Sequence, residues 1–144
     1  MTHQKVSASG LILNKLGKIL MVKRSESDDF LPGIYELPGG GTDYMEDPAK
    51  GLEREFLEEC GIKIKVLHPL TTFSFNMPHE GVDKHTVEII YLCELEDENQ
   101  KIKLSFEHCD YKWMSFDEVL DTPDNPVFTT MMRNIQQHPL IQAS

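Results

Sequence analysis

The chain has 144 residues, 40% of them hydrophobic, and a formal net charge of −10. The length suits one domain with a real core, expected over residues 1–144, and no apolar run approaches the ~18 residues that suggest a membrane span. The negative balance excludes the basic surface from which proteins gripping nucleic-acid polymers draw most of their affinity, but a small nucleotide stays open, because a metal ion can bridge acidic side chains and phosphate.

Residues 5–13, KVSASGLIL, and 18–23, KILMVK, are rich in β-branched and large apolar residues and predict two strands joined by a turn around Asn14–Gly17. A polar loop, SESDDFLPG, follows over 25–33. In IYELPGGGTDYMEDP a short strand ends in a Pro/Gly cluster that predicts an irregular loop. Asp47-Pro48 then opens a helix, since Asp caps free N–H groups and Pro is tolerated at the first helical position. Ala49, Leu52 and Phe56 recur at helical spacing as its buried stripe, and Gly61 is a natural left-handed stop, so the helix spans 48–60. IKIKVL and TTFSFNM predict two further strands, MPHEGVDK a loop, and HTVEIIYLCEL a strong strand. KIKLSFEHCDYKWMS holds another strand, at least over YKWM. FDEVL is a short helix capped by Ser115, and NPVFTTMMRNIQQ a final one with Val127, Met131 and Ile135 inward. The fold class is α/β: a mixed sheet with helices on its faces.

Cys60, Cys93 and Cys109 are odd in number and include no CxxC pair, so they are expected to be reduced thiols, mostly packed, in the cytoplasm. The opening MTHQKVSASG lacks the apolar segment of a signal peptide.

The helix carries Glu53, Glu55, Glu58 and Glu59 within seven residues. Like charges three or four apart repel by roughly 0.2–0.5 kcal/mol per pair. Residues 55, 58 and 59 share one side of the helix, next to the apolar stripe. Two readings stand on the residues alone: a solvated acidic face, or an oxygen-rich site for Mg²⁺ or Mn²⁺. The glycines of LPGGG just before the helix let the backbone approach a ligand closely. Arg54 and Glu46 are spaced to pair and tie that loop to the helix.

The spacing is more specific than either reading requires. Gly40, five residues, Glu46, seven residues, Arg54-Glu55-Phe56, one residue, Glu58-Glu59, one residue, Gly61-Ile62 resembles the Nudix box of the MutT-like Nudix hydrolases. YELPGG, HTVEIIYLCEL and EHCDYKWMSFDEV are similar, more weakly, to other parts of that family. The resemblance implies a Nudix fold, an α/β/α sandwich around a mixed sheet. It implies hydrolysis of a nucleoside diphosphate linked to another group, with Mg²⁺ or Mn²⁺ as cofactor. The family's metal ligands fall on Glu55, Glu58 and Glu59 with the Gly39 carbonyl, and Arg54 matches the arginine that orients a box glutamate, with Glu46 its partner. Phe56, Gly51 and Tyr35 depart from the family's usual residues, all at packing positions. Gly51 is expected to loosen the helix by about 0.5–1 kcal/mol relative to alanine.

In the reaction so implied, a metal-activated water attacks a phosphorus and a base takes its proton. Glu55, Glu58 and the loop residue Glu107 are the candidates for that base. His108 is expected to be a surface or packed histidine. Arg24 and Lys23 either reach phosphates or are ordinary strand-end charges, and Gly39 and Gly40 border the substrate. Phe73, Phe75, Tyr44 and Phe128 either stack on a base or belong to the core, with Phe75 taken forward as a substrate contact. The chain's size and its ending resemble small members that act on nucleoside triphosphates, ordinary or oxidised, giving monophosphate and pyrophosphate. The alternatives are an ADP-ribose or nucleotide-sugar pyrophosphatase, and a non-catalytic nucleotide-binding sensor. Pro78 lies where ADP-ribose-cleaving relatives often carry a proline, without the wider pattern around it. A calcium module is disfavoured by the lack of DxDxDG spacing. The expected partner is a small nucleotide, with no nucleic-acid polymer and no membrane; a homodimer is left open.

Overall fold

The computed structural model describes residues 2–27, 33–76, 78, 80–121 and 126–143. Strand β1 (Thr2–Ile12) leads through a tight turn into β2 (Ile19–Arg24). In that turn the Asn14 side-chain oxygen accepts from the backbone N–H groups of Leu16 and Lys18 at 3.0 Å each, and Gly17 takes φ +73°. Then follow β3 (Tyr35–Glu36), β4 (Gly39–Gly41), α1 (Pro48–Cys60), β5 (Ile64–Asn76), β6 (Asp83–Leu95), β7 (His108–Met114), α2 (Phe116–Leu120), α3 (Pro126–Gln136) and α4 (Pro139–Gln142).

The strands make two sheets. One is mixed, in the order β4-β1-β6-β5, with β1 and β6 parallel and the other pairs antiparallel. The second, β3-β2-β7, is antiparallel. The parallel β1/β6 pair needs a long crossover, and α1 lies within it. The sequence-adjacent β1 and β2 go to different sheets and are bridged at Leu13–Ile19.

Strand alternation divides the core. Ala8 and Ile12 of β1 pack with Leu20 and Val22 of β2 and with Leu52, Phe56 and Cys60 of α1. Leu11 of β1 faces the other way, onto Ile19, Met21, Ile90, Leu92 and Met131, Met132 and Ile135 of α3. Apolar layers thus lie on both sides of the strands, with α1 on one and α2–α4 on the other, which is the expected α/β architecture. Gly10 makes the α1 contact close: a Cβ there would stand 2.7 Å from the Phe56 ring.

Several local expectations change. The segments 62–67 and 71–77 are not separate strands: one strand, β5, runs from Ile64 to Asn76, with Met77 outside the described residues, and absorbs the break with register shifts between Val66 and His68 and between Pro69 and Thr71. Pro69 cannot donate to a ladder, and the irregularity sits around it. Gly39–Gly41 is not irregular loop but a short strand paired with Ser7–Ser9. Ala49 is half-buried, less than the stripe predicted, whereas Leu52 and Phe56 are fully buried. All three cysteines are free, with Cys60 and Cys93 buried and Cys109 exposed. Met131 and Ile135 point inward as expected, joined by Met132, while the Val127 side chain lies outside the described residues.

Candidate active site

Helix α1 is set by its ends. The Asp47 carboxylate accepts from the Ala49 and Lys50 N–H groups at 2.9 and 3.4 Å, Pro48 occupies the first turn, and Gly61 closes the helix at φ +67°. With the ends fixed and Leu52 and Phe56 inward, Glu55, Glu58 and Glu59 have no choice of side. Glu59 is buried, Glu55 half-buried and Glu58 exposed.

One arginine ties the glycine strand and the following loop to this face. Arg54 Nε and Nη2 donate to the two Glu46 carboxylate oxygens at 2.8 and 2.9 Å. This two-pronged geometry is the strong form of a charge-assisted bond. Arg54 Nη1 also donates to Glu55 at 3.2 Å and to Glu58 at 3.0 Å, and Nη2 reaches the Gly41 carbonyl at 3.5 Å. Glu46 accepts in addition from the Asp43 N–H at 2.9 Å. Arg54 foremost, then that backbone bond, holds the Glu46 carboxyl down at about 2. Gly51 gives this clamp room, since a Cβ there would stand 2.7 Å from Glu46 Oε1.

Glu59 points the other way, inward, with 6% of its surface exposed. Burial foremost, then Glu107, Glu55 and Glu36, pushes its carboxyl up to about 9. Its Oε2 is buried with no hydrogen-bond partner. Burial also raises Glu55, which is in hydrogen-bonding reach of Glu59, while Arg54 opposes the rise. Two ionised carboxylates cannot bond to one another, so a proton or a cation has to lie between Glu55 and Glu59.

Glu107 arrives from far along the chain. The loop before β7 hangs on the end of α1: the Lys103 N–H donates to the Cys60 carbonyl at 2.8 Å and the Ser105 N–H to the Glu59 carbonyl at 2.9 Å. The Ser25 N–H donates to the Glu107 carbonyl at 3.1 Å, fixing the loop to the end of β2. These bonds satisfy helix-end acceptors and set Glu107 beside Glu59.

Arg24 stands at the rim, its Nη1 3.1 and 3.3 Å from the Glu36 carboxylate oxygens. His108 Nε2 is 3.2 Å from the same carboxylate, with the side chain 4% exposed and Nδ1 without a partner, so this histidine is packed rather than at the surface. Glu36 went unforeseen in the sequence, although it lies inside YELPGG. Gly40 borders the carboxylates, since a Cβ on it would come within 2.9 Å of the Glu55 carboxylate. Gly39 admits no side chain, because a Cβ would lie 2.1 Å from the Ala8 carbonyl oxygen. Phe75 is not among these residues. It lies on β5, three strands across the sheet from β4, its ring stacked 6.0 Å from Phe73. Tyr44 is exposed, and Phe73 and Phe128 pack on the core.

The donor set suits a hard divalent cation. Carboxylate oxygens are its preferred ligands, Glu59 Oε2 lacks a partner, and the space beside Glu55 is kept free of a side chain at Gly40. Among the described residues no three acidic, histidine or cysteine side chains are already converged as a ligand set. Arg54 draws Glu55 and Glu58 outward while Glu59 turns inward, so side-chain rotation has to complete the set. No helix among the described residues is long and apolar enough to cross a membrane.

Comparison with known proteins shows the family and the fold. A family model described as NUDIX domain matches residues 3–135. The chain is 31% identical over 123 residues to Nudix hydrolase 6 of Arabidopsis thaliana, covering 84% of this chain and 42% of that protein. It thus spans less than half the length of that plant relative. It is 27% identical over 123 residues to nucleoside triphosphatase NudI of Klebsiella pneumoniae, covering 81% and 86%. The crystal structure of a MutT protein from Methanosarcina mazei superposes with a TM-score of 0.82 at 26% identity, covering 94% of this chain and 95% of that one.

Proposed function

This chain belongs to the NUDIX family, and from that premise we propose that it hydrolyses the pyrophosphate bond of a nucleoside diphosphate linked to a further group. The substrate in this proposal is a nucleoside triphosphate, ordinary or oxidised, and the products are the monophosphate and pyrophosphate. The observation that carries it is the buried, partnerless Glu59 oxygen among Glu55 and Glu107. An isolated buried carboxylate is costly, and a cation-binding role accounts for its retention.

Glu55, Glu58, Glu59 and the Gly39 carbonyl would hold Mg²⁺ or Mn²⁺. Bound there, the ion supplies charge neutralisation for the phosphates and acidifies an attacking water. Arg54 acts as a positioning residue, holding Glu55 and Glu58 through the clamp it shares with Glu46. Glu107 takes the proton of the attacking water, supported over Glu55 and Glu58 because those two are held by Arg54 and assigned to the cation. Arg24 meets the phosphates, exchanging its bond to Glu36 for a phosphate oxygen. Gly39 and Gly40 leave room for the substrate to come close. The free thiols support a reducing compartment such as the cytoplasm.

The triphosphate class is supported by the similarity to NudI, which spans most of both chains. ADP-ribose is the second reading, supported by 29% identity over 122 residues to an ADP-ribose pyrophosphatase of Methanocaldococcus jannaschii. A hydrolysis screen with Mg²⁺ separates them, run on nucleoside triphosphates and their oxidised forms, ADP-ribose, dinucleoside polyphosphates and nucleotide sugars. Fastest turnover on a triphosphate, with pyrophosphate as product, is expected. Fastest turnover on ADP-ribose selects the second reading, and nucleotide binding without turnover selects a sensor.

A further inference from the structure

Outside the carboxylate site, the mixed sheet carries a second acidic group with an unusual setting. Glu88 lies on β6, directly opposite Ser7 of β1 on one side and Phe73 of β5 on the other. It shares a sheet face with Ile90 and Leu92, which α3 covers through Met131, Met132 and Ile135. Toward Glu88 that face changes character. Ser9, Glu88, Phe73 and Phe75 are half-buried, and the two phenylalanine rings stack at 29° to one another. Among the described residues the Glu88 carboxylate accepts one hydrogen bond, from the Ser9 hydroxyl, and forms no ion pair. Ser9 pairs in register with Gly39. Glu88 therefore stands two strand spacings, about 10 Å, from the glycine strand that borders Glu55, a distance on the scale of one nucleoside. The charge of Glu36 bears on both Glu59 and Glu88, so the two carboxylates share one electrostatic neighbourhood.

We propose that this end of the sheet receives the base of the substrate, which stacks on the Phe73–Phe75 pair while Glu88 reads its N–H groups and selects guanine. The inference rests on the hydrolase reading above and deepens it. An ionised carboxylate is an acceptor only, with two oxygens side by side. Guanine alone among the common bases presents adjacent ring N–H and amino donors on its pairing edge, matching both oxygens at once. Adenine and cytosine place a ring acceptor beside their amino group, and uracil places carbonyls on both sides of its N–H. Those arrangements set an acceptor against a carboxylate oxygen. Ser9 uses one acceptor site of Glu88 and leaves the rest for the ligand. The aromatic faces supply stacking that any base accepts, so selection falls to Glu88.

The test is kcat/KM with Mg²⁺ for GTP, ITP, ATP, CTP and UTP, on the wild type and on Glu88→Gln. A charge-assisted hydrogen bond corresponds to about tenfold or more. GTP is expected to lead ATP by at least about tenfold, and ITP, which lacks the amino donor, to fall about tenfold behind GTP. Glu88→Gln brings the GTP/ATP and GTP/ITP ratios toward one, and Phe73→Leu raises KM for every base. A wild type that treats GTP and ITP alike overturns the proposal without any variant. So does a guanine preference that survives in a folded Glu88→Gln protein. A wild type that hydrolyses none of these triphosphates with Mg²⁺ refutes the triphosphate reading on which the proposal rests, a separate failure from active enzyme without base preference.

Discussion

Replacing Glu59 by glutamine has opposite consequences for stability and for activity. Glu59 is 6% exposed, has an oxygen without a partner, and sits among Glu55, Glu107 and Glu36. Without a cation its carboxyl keeps a proton in the folded protein, because burial foremost, then its acidic neighbours, lifts it to about 9. In the unfolded chain the same group loses its proton near the ordinary value of 4.5. Between those two values the unfolded state binds fewer protons, so stability is greatest below 4.5 and falls as pH rises toward 9. Each pH unit costs at most about 1.4 kcal/mol. Shared with Glu55, the loss from pH 5 to pH 8 is on the order of 2 kcal/mol, or about 4–8 °C in Tm. Glutamine keeps the shape and removes the titration. Thermal unfolding in EDTA is therefore expected to show Glu59→Gln close to wild type at pH 5 and several degrees more stable at pH 8. Adding Mg²⁺ should raise the wild-type Tm and move the variant much less. A wild-type-to-variant gap independent of pH, or a variant less stable at pH 8, would refute the electrostatic account of Glu59.

The other sites give sharper contrasts between folding and turnover. Arg54→Lys loses the two-pronged grip on Glu46, which a lysine cannot reproduce; steady-state kinetics should show kcat down at least about tenfold and a weaker response to Mg²⁺. Gly40→Ala puts a methyl group 2.9 Å from the Glu55 carboxylate, so kcat should fall while Tm holds within a few degrees. Gly51→Ala gains about 0.5–1 kcal/mol of helix propensity but drives Glu46 out of the clamp, and unfolding and turnover measured together should show little net stabilisation with reduced kcat. Glu107→Gln removes the proposed base, for which a loss of about 10²–10⁴ in kcat is expected, with nucleotide affinity by calorimetry little changed.

What the sequence made legible is what is encoded locally. Asp47, Pro48, Leu52, Phe56 and Gly61 are the cap, first turn, stripe and stop of α1, and the helix runs from Pro48 to Cys60 as they require. The Ser115 cap likewise closes both halves of a capping box with Glu118. The Arg54–Glu46 pair was legible because only seven residues of loop and helix separate the two. Long-range placement was not legible. Glu36 joins the site only because β3 pairs with β2, and Glu88 faces Ser9 only because β6 runs parallel to β1. Nothing within a few residues of either glutamate encodes those pairings. The break at Pro69 reads locally as a strand end, yet β6 holds a continuous partner along it and β5 carries on. Gly51 reads in the sequence as a helix defect, yet Glu46 occupies the space its side chain would fill.

At issue is nucleotide pyrophosphate chemistry run from the α1 carboxylates. Chromatographic product analysis of a nucleoside triphosphate incubated with Mg²⁺, wild type against Glu59→Gln at equal concentration, tests this most directly. The prediction is monophosphate and pyrophosphate in equal amounts from the wild type, none in EDTA, and turnover at least about a hundredfold lower in the variant. Diphosphate and inorganic phosphate as the products, or a folded Glu59→Gln protein as active as the wild type, would contradict it.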